Sequence, residues 1–117
     1  MNLAGTYTNT ETKAVLTITQ ADDSNGQLSG TLATNYNGSA VTLTVSGHYH
    51  YLNSAGPQTS LAFIAVHDDS PASIYEAWSG ITDNRSYKTL EVQGTRAALT
   101  QGQSRIRPAC GDFVRNN

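Results

Sequence analysis

A chain of 117 residues with 38% hydrophobic side chains fits one domain with a modest core and excludes two. Only 14% of residues are charged and the net charge is −2, so there is no basic footprint for nucleic acid and no polybasic signal for a membrane surface. The single cysteine, Cys110, rules out an intramolecular disulfide or a cysteine-based metal cluster and reads as a small, at least half-buried thiol, an intermolecular disulfide being the lesser reading.

No stretch approaches the length of a transmembrane helix, and residues 1–20 lack the basic start and apolar centre of a signal peptide. Met1 is either a true start or a residue added to a trimmed chain. Abundant Thr, Ser and Gly favour short strands joined by tight turns, so the expected class is all-β.

In chain order the pattern gives eight strands. Residues 3–8 are β-prone and lead into a polar turn from Asn9 to Lys13. Residues 14–20 alternate Ala14, Leu16 and Ile18 against Val15, Thr17 and Thr19. The cluster Asp22-Asp23-Ser24-Asn25-Gly26 turns the chain into residues 27–34, and Asn37-Gly38 supplies a second hairpin turn. The longest alternation follows, from Val41 to Tyr51: Val41, Leu43, Val45, Gly47, Tyr49 and Tyr51 share one face, while Thr42, Thr44, Ser46, His48 and His50 share the other.

Residues 53–57 break that strand, and residues 58–67 form the fifth around Leu61, Phe63, Ile64 and Val66. After a turn at 68–71, residues 74–81 carry the chain's one tryptophan. Period two puts Glu76, Trp78 and Gly80 on one face and Tyr75, Ala77, Ser79 and Ile81 on the other, so Trp78 is either a core plug or one wall of a pocket. Asp83-Asn84-Arg85-Ser86 turns into residues 87–99, and Gln101-Gly102-Gln103 leads to a last strand at 104–110. No connection is long enough for a crossover helix, so neighbours are antiparallel, and eight such strands can close into an up-and-down barrel without edges.

Chemistry-bearing patterns are sparse. His48 and His50 point the same way and could share a metal with His67-Asp68-Asp69 across the sheet, but exposed histidines are the simpler reading. There is no Gly-x-Ser-x-Gly elbow, phosphate-cradling loop or zinc-binding helix motif. Small closed barrels usually bind rather than catalyse, so a non-catalytic binder with no cofactor is expected.

Several segments nevertheless occur together in a known order: Gly5-Thr6-Tyr7-Thr8-Asn9, Leu28-Ser29-Gly30-Thr31, Ser46-Gly47-His48-Tyr49, Ala77-Trp78-Ser79-Gly80, Lys88-Thr89 and Gly111-Asp112-Phe113. With these the chain resembles the avidin/streptavidin family of biotin-binding barrels over almost its whole length. The resemblance implies an eight-stranded barrel pairing through its outer faces into a dimer or tetramer, and a secreted protein. It also implies ligand-site roles for Asn9 at the ureido oxygen, Asp112 at a ureido nitrogen and Trp78 as a wall.

Other family positions are replaced. The opening Gly-Thr-Trp carries Tyr7, the serine beside the ureido oxygen falls at Lys13, and the tyrosine of Gly-Thr-Tyr falls at Leu32. Two pocket tryptophans fall at Val66 and Glu91, a polar residue near the thioether sulfur at Glu76, and the tryptophan lent by a neighbouring subunit near Ser104. Losing two aromatic walls at about 3–5 kcal/mol each, and hydrogen-bond partners at about 1–3 kcal/mol each, removes many decades of affinity. The expectation is a small-ligand binder in which biotin binding is weakened or lost, with Lys13 and Glu91 pairing inside the barrel or recognising a more polar ligand. The alternative is a structural or protein-interacting barrel, such as a secreted inhibitor or assembly subunit. An open polar-lined interior favours the first, a packed one the second.

Overall fold

The computed structural model describes residues 2–50, 58–69 and 72–116. Tyr51, the turn at 53–57, the Ser70-Pro71 part of the next turn and Met1, for which the sequence carried readings, lie outside them.

The described residues form one all-antiparallel sheet of nine strand segments, in order β1 (Gly5–Asn9), β2 (Val15–Asp22), β3 (Gln27–Tyr36), β4 (Ser39–His50), β5 (Gln58–Asp69), β6 (Ala72–Asp83), β7 (Thr89–Thr100), β8 (Gln103–Ala109) and β9 (Phe113–Arg115). Segments β1 to β7 pair in chain order, and β9 then pairs with both β7 and β1, so eight members close the ring. The expected eight-stranded up-and-down barrel is therefore the fold. The four hairpins β1–β2, β3–β4, β5–β6 and β7–β8 gather at one end, here called the hairpin end.

Period-two patterning decides what faces inward. On β4, Val41, Leu43, Val45 and Tyr49 are buried while Thr42, Thr44, Ser46, His48 and His50 are exposed, which puts the aliphatic face inside. Turns follow the residues that tolerate a left-handed backbone: Asn37 and Gly38 have φ of 48° and 81°, as a two-residue hairpin of primed type requires. Strand seven begins at Thr89 rather than Tyr87 because Tyr87, at φ 50°, closes the preceding turn by donating its N–H to the Asp83 carbonyl over 2.7 Å.

The last strand departs from the sequence reading. It is two pieces, separated where Cys110, Gly111 and Asp112 leave the ladder. Gly111 has φ 100°, and a Cβ there would lie 2.3 Å from Asn9 Oδ1, so both backbone and space demand glycine. Cys110, expected to be at least half-buried, is instead an exposed free thiol, because the break turns it away from the core. Among the described residues β8 hydrogen-bonds only to β7, and Gln103 to Pro108 are exposed.

At the end opposite the hairpins, Arg115 ties the chain's two extremities together. Its guanidinium donates to the Asn2 carbonyl (3.2 Å), the Tyr7 hydroxyl (2.8 Å) and the Ala4 carbonyl (2.6 Å), and lies 5.4 Å from the Tyr7 ring centroid. The Tyr7 hydroxyl in turn donates to the Leu3 carbonyl over 2.6 Å. Burial pushes its pKa up to about 12, although the Arg115 charge opposes the shift.

Candidate functional site: the barrel interior

The middle of the barrel is occupied by three aromatic rings. Phe63 on β5 stacks on Trp78 at a centroid distance of 6.2 Å and 17° between planes, and Phe113 on β9 meets Trp78 edge-on at 5.1 Å. Gly94 on β7 faces Trp78 across the ladder, and a Cβ there would lie 2.1 Å from the Ala77 carbonyl oxygen. Leu16, Leu32, Leu43, Ile74, Leu90 and Val92 fill the remaining core with these rings.

Towards the hairpin end sits a buried polar chain. Trp78 Nε1 donates to Glu76 Oε1 over 2.9 Å, and Arg96 Nε donates to Glu76 Oε2 over 2.7 Å. The register makes this inevitable: Glu76 and Trp78 are two residues apart on one strand, and Glu76 is directly opposite Arg96. Arg96 continues across to β3, donating to the Asn35 carbonyl (3.1 Å) and Thr34 Oγ1 (3.3 Å). The Glu76 side chain is 4% exposed and that of Arg96 22%, so the carboxylate depends on this cation for its charge compensation.

Asn9 lies inside the ring, fully buried, and all four of its hydrogen-bonding positions are spent on backbone. Its Oδ1 accepts from Glu11 N (2.9 Å) and Thr12 N (3.0 Å), while its Nδ2 donates to the Cys110 (3.2 Å) and Gly111 (3.0 Å) carbonyls. It pins the β1–β2 turn to the break after β8. Asp112, half-buried beside it, accepts the Thr10 N–H on its backbone carbonyl over 2.9 Å.

Of the other positions inferred for the ligand site, Leu32, Glu76 and Trp78 line the interior, whereas Lys13, Val66 and Glu91 do not. Lys13 is an exposed turn residue at φ 65° whose Nζ donates to the Thr10 carbonyl over 3.2 Å. Val66 faces outward because Phe63 and Ala65 hold the inner positions of β5, and Glu91 faces outward between buried Leu90 and Val92. A pairing placed one residue off sends a side chain to the other face. Lys13 and Glu91 are both exposed, so the inward ion pair expected between them does not exist; Arg96 is the cation that meets Glu76. Sequence reasoning named neither Arg96 nor Phe63 and Phe113 for this region, although the alternation Leu90, Val92, Gly94, Arg96, Ala98 carried the signal for the first.

His48 and His50 are exposed on the outer face of β4, and His67 Nδ1 lies 3.3 Å from the Thr42 carbonyl. Among the described residues no three His, Cys, Asp or Glu side chains gather as a metal site.

A closed eight-stranded antiparallel ring, whose sixth strand delivers an inward tryptophan to its middle, is an avidin-like barrel. The fold is similar to the X-ray structure of the biotin binding protein from chicken, with a TM-score of 0.62 over 98% of this chain and 96% of that chain, at 17% sequence identity. No protein-family description matches the sequence, and no curated protein matches it.

Proposed function

We propose that this chain is a non-catalytic binding barrel of avidin type that lacks a deep biotin pocket and works through its surface and its assembly. The observation that carries this reading is the state of the interior. The space is taken by Phe63, Trp78 and Phe113, Arg96 and Glu76 are committed to one another, and the residue matching the ureido-oxygen ligand, Asn9, has no hydrogen-bonding position left. A biotin entering here would have to displace packed rings and leave buried polar groups unpaired.

Homo-oligomerisation is part of the proposal. The outer face of β5 to β8 carries Ile64, Tyr75, Leu99 and Ile106 at 50%, 48%, 60% and 80% exposure, and Tyr75, Ala97 and Ile106 form one row across the ladder. Such a belt suits pairing with a second copy across a two-fold axis. The test is the thermal midpoint with and without saturating biotin, because a ligand confined to the folded state raises it with the logarithm of concentration over Kd. A change of no more than about a degree is expected, and a rise of tens of degrees would overturn the reading. Sedimentation should show a dimer or larger species that Ile106→Asp dissociates; a monomer at every concentration would remove the assembly part.

A further inference from the structure

Outside the interior, the hairpin end carries a second concavity. Arg96, Arg105 and Arg107 line a small cleft of about 280 Å³ together with Tyr36, Asn37 and Gln103. Three of the chain's seven basic residues therefore converge on one concavity in a protein whose net charge is −2.

The register shows how they come together. Across the β7–β8 hairpin Arg96 is paired directly with Arg107, and Ala98 with Arg105, so all three arginines project from one face towards the β3–β4 turn. Like charges placed directly opposite one another on neighbouring strands repel. Glu76 compensates Arg96, but among the described residues neither Arg105 nor Arg107 has a carboxylate within salt-bridge distance or a side-chain hydrogen bond. Asp68, near the outer side of Arg105, accepts its bond from the Ser73 hydroxyl at 2.8 Å. The cleft thus carries two uncompensated positive charges, set roughly 7 Å apart along the strand. Arg96 is held rigidly beside them by Glu76, the Asn35 carbonyl and Thr34.

We propose that this cleft binds the doubly charged phosphate group of a small molecule. Arg105 and Arg107 neutralise the dianion, and the phenol of Tyr36 and the amides of Asn37 and Gln103 complete the donor set. The charge count selects the class: two free guanidinium groups match a dianion, and their planar forks suit phosphate oxygens better than lysine ammonium groups would. At about 280 Å³ the cleft is several times the space one phosphate fills, so part of the remaining molecule can lie beside the anion.

The test is isothermal titration at about pH 8, where a phosphate is a dianion, with inorganic phosphate and with phenyl phosphate, each against sodium chloride at matched ionic strength. Both probes should give saturable heat at one site per chain, and Arg105→Gln/Arg107→Gln should weaken them by about tenfold or more. Arg85→Gln, in the turn at the opposite end, should leave them unchanged. Tighter binding of phenyl phosphate identifies a phosphate monoester as the ligand class, while equal binding identifies free phosphate. Both substituted residues are exposed on a one-sided strand, so far-ultraviolet circular dichroism should report an intact fold. No saturable heat beyond chloride, or heat of equal size in the folded double variant, overturns the proposal.

Discussion

Replacing Arg96 by alanine tests whether the interior polar chain holds the barrel or merely occupies it. The substitution removes the cation 2.7 Å from Glu76 Oε2 and the two bonds to β3, leaving a 4%-exposed carboxylate with only the Trp78 N–H. Breaking a buried pair from one side typically costs about 3–5 kcal/mol; because Arg96 is partly solvated, about 2–3 kcal/mol is expected. For a domain of this size that corresponds to a fall of roughly 10 °C in the thermal midpoint. The double variant Glu76→Leu/Arg96→Leu removes both charges and should be more stable than Arg96→Ala, while staying about 1 kcal/mol or more below the parent because the Trp78 N–H loses its acceptor. Urea unfolding followed by Trp78 fluorescence reads both variants, and the single variant should also shift the emission because the indole then faces an uncompensated carboxylate. A loss below about 1 kcal/mol for Arg96→Ala, or a double variant no better than the single one, would refute the argument that Glu76 depends on this partner.

Two further outcomes follow from bonds already described. Asn9→Asp exchanges an amide that donates to two carbonyls for a carboxylate facing them, and should lower stability by about 2–4 kcal/mol in urea titrations; a change below about 0.5 kcal/mol would deny Asn9 its clamping role. On the alkaline side, Tyr7 has a folded pKa raised to about 12 from an ordinary 10, so the folded state retains a proton that the unfolded chain releases. Its contribution is complete below pH 10 and is lost as pH rises towards 12, an amount of about 2–3 kcal/mol. Tyr49 acts in the same direction, its phenol pushed up by burial and by the bond it donates to the Asp23 carboxylate. Denaturation midpoints should hold up to about pH 10 and fall between pH 10 and 12, and a flat profile there would contradict the buried phenols.

The fold was legible because its signals are local. The alternation from Val41 to His50, the Asn37-Gly38 turn and the joint placement of Glu76 and Trp78 each follow from a few adjacent residues, and each is found as the pattern requires. The site was legible only in part. Asn9 could be placed, but the groups that consume its amide lie at Cys110 and Gly111, a hundred residues away, and only closure of the ring brings them near. Val66 and Glu91 were assigned by likeness to a family rather than by the phase of their own strands, and the phase prevailed. Leu61, Phe63 and Ala65 on β5 and Leu90 and Val92 on β7 claim the inner face, which leaves the outer one to their neighbours. The arginine cleft combines both cases: Arg105 and Arg107 share a face by simple alternation, but opposing them to Arg96 needs the register of the hairpin at Gln101 and Gly102.

The division of the last strand also bears on how the molecule is made. The ring is completed by three residues, Phe113 to Arg115, which pair with β1 across a sequence separation of up to 108 residues. During synthesis the first seven strands can zip up one after another as they leave the ribosome, yet the sheet stays an open ribbon until residue 115 has emerged. Until that moment β1 presents a bare edge, and so does the stretch of β7 that will receive β9. The nascent chain is therefore most exposed to aberrant strand pairing just before its final segment arrives, and the guanidinium of Arg115 serves as the latch that ends the interval.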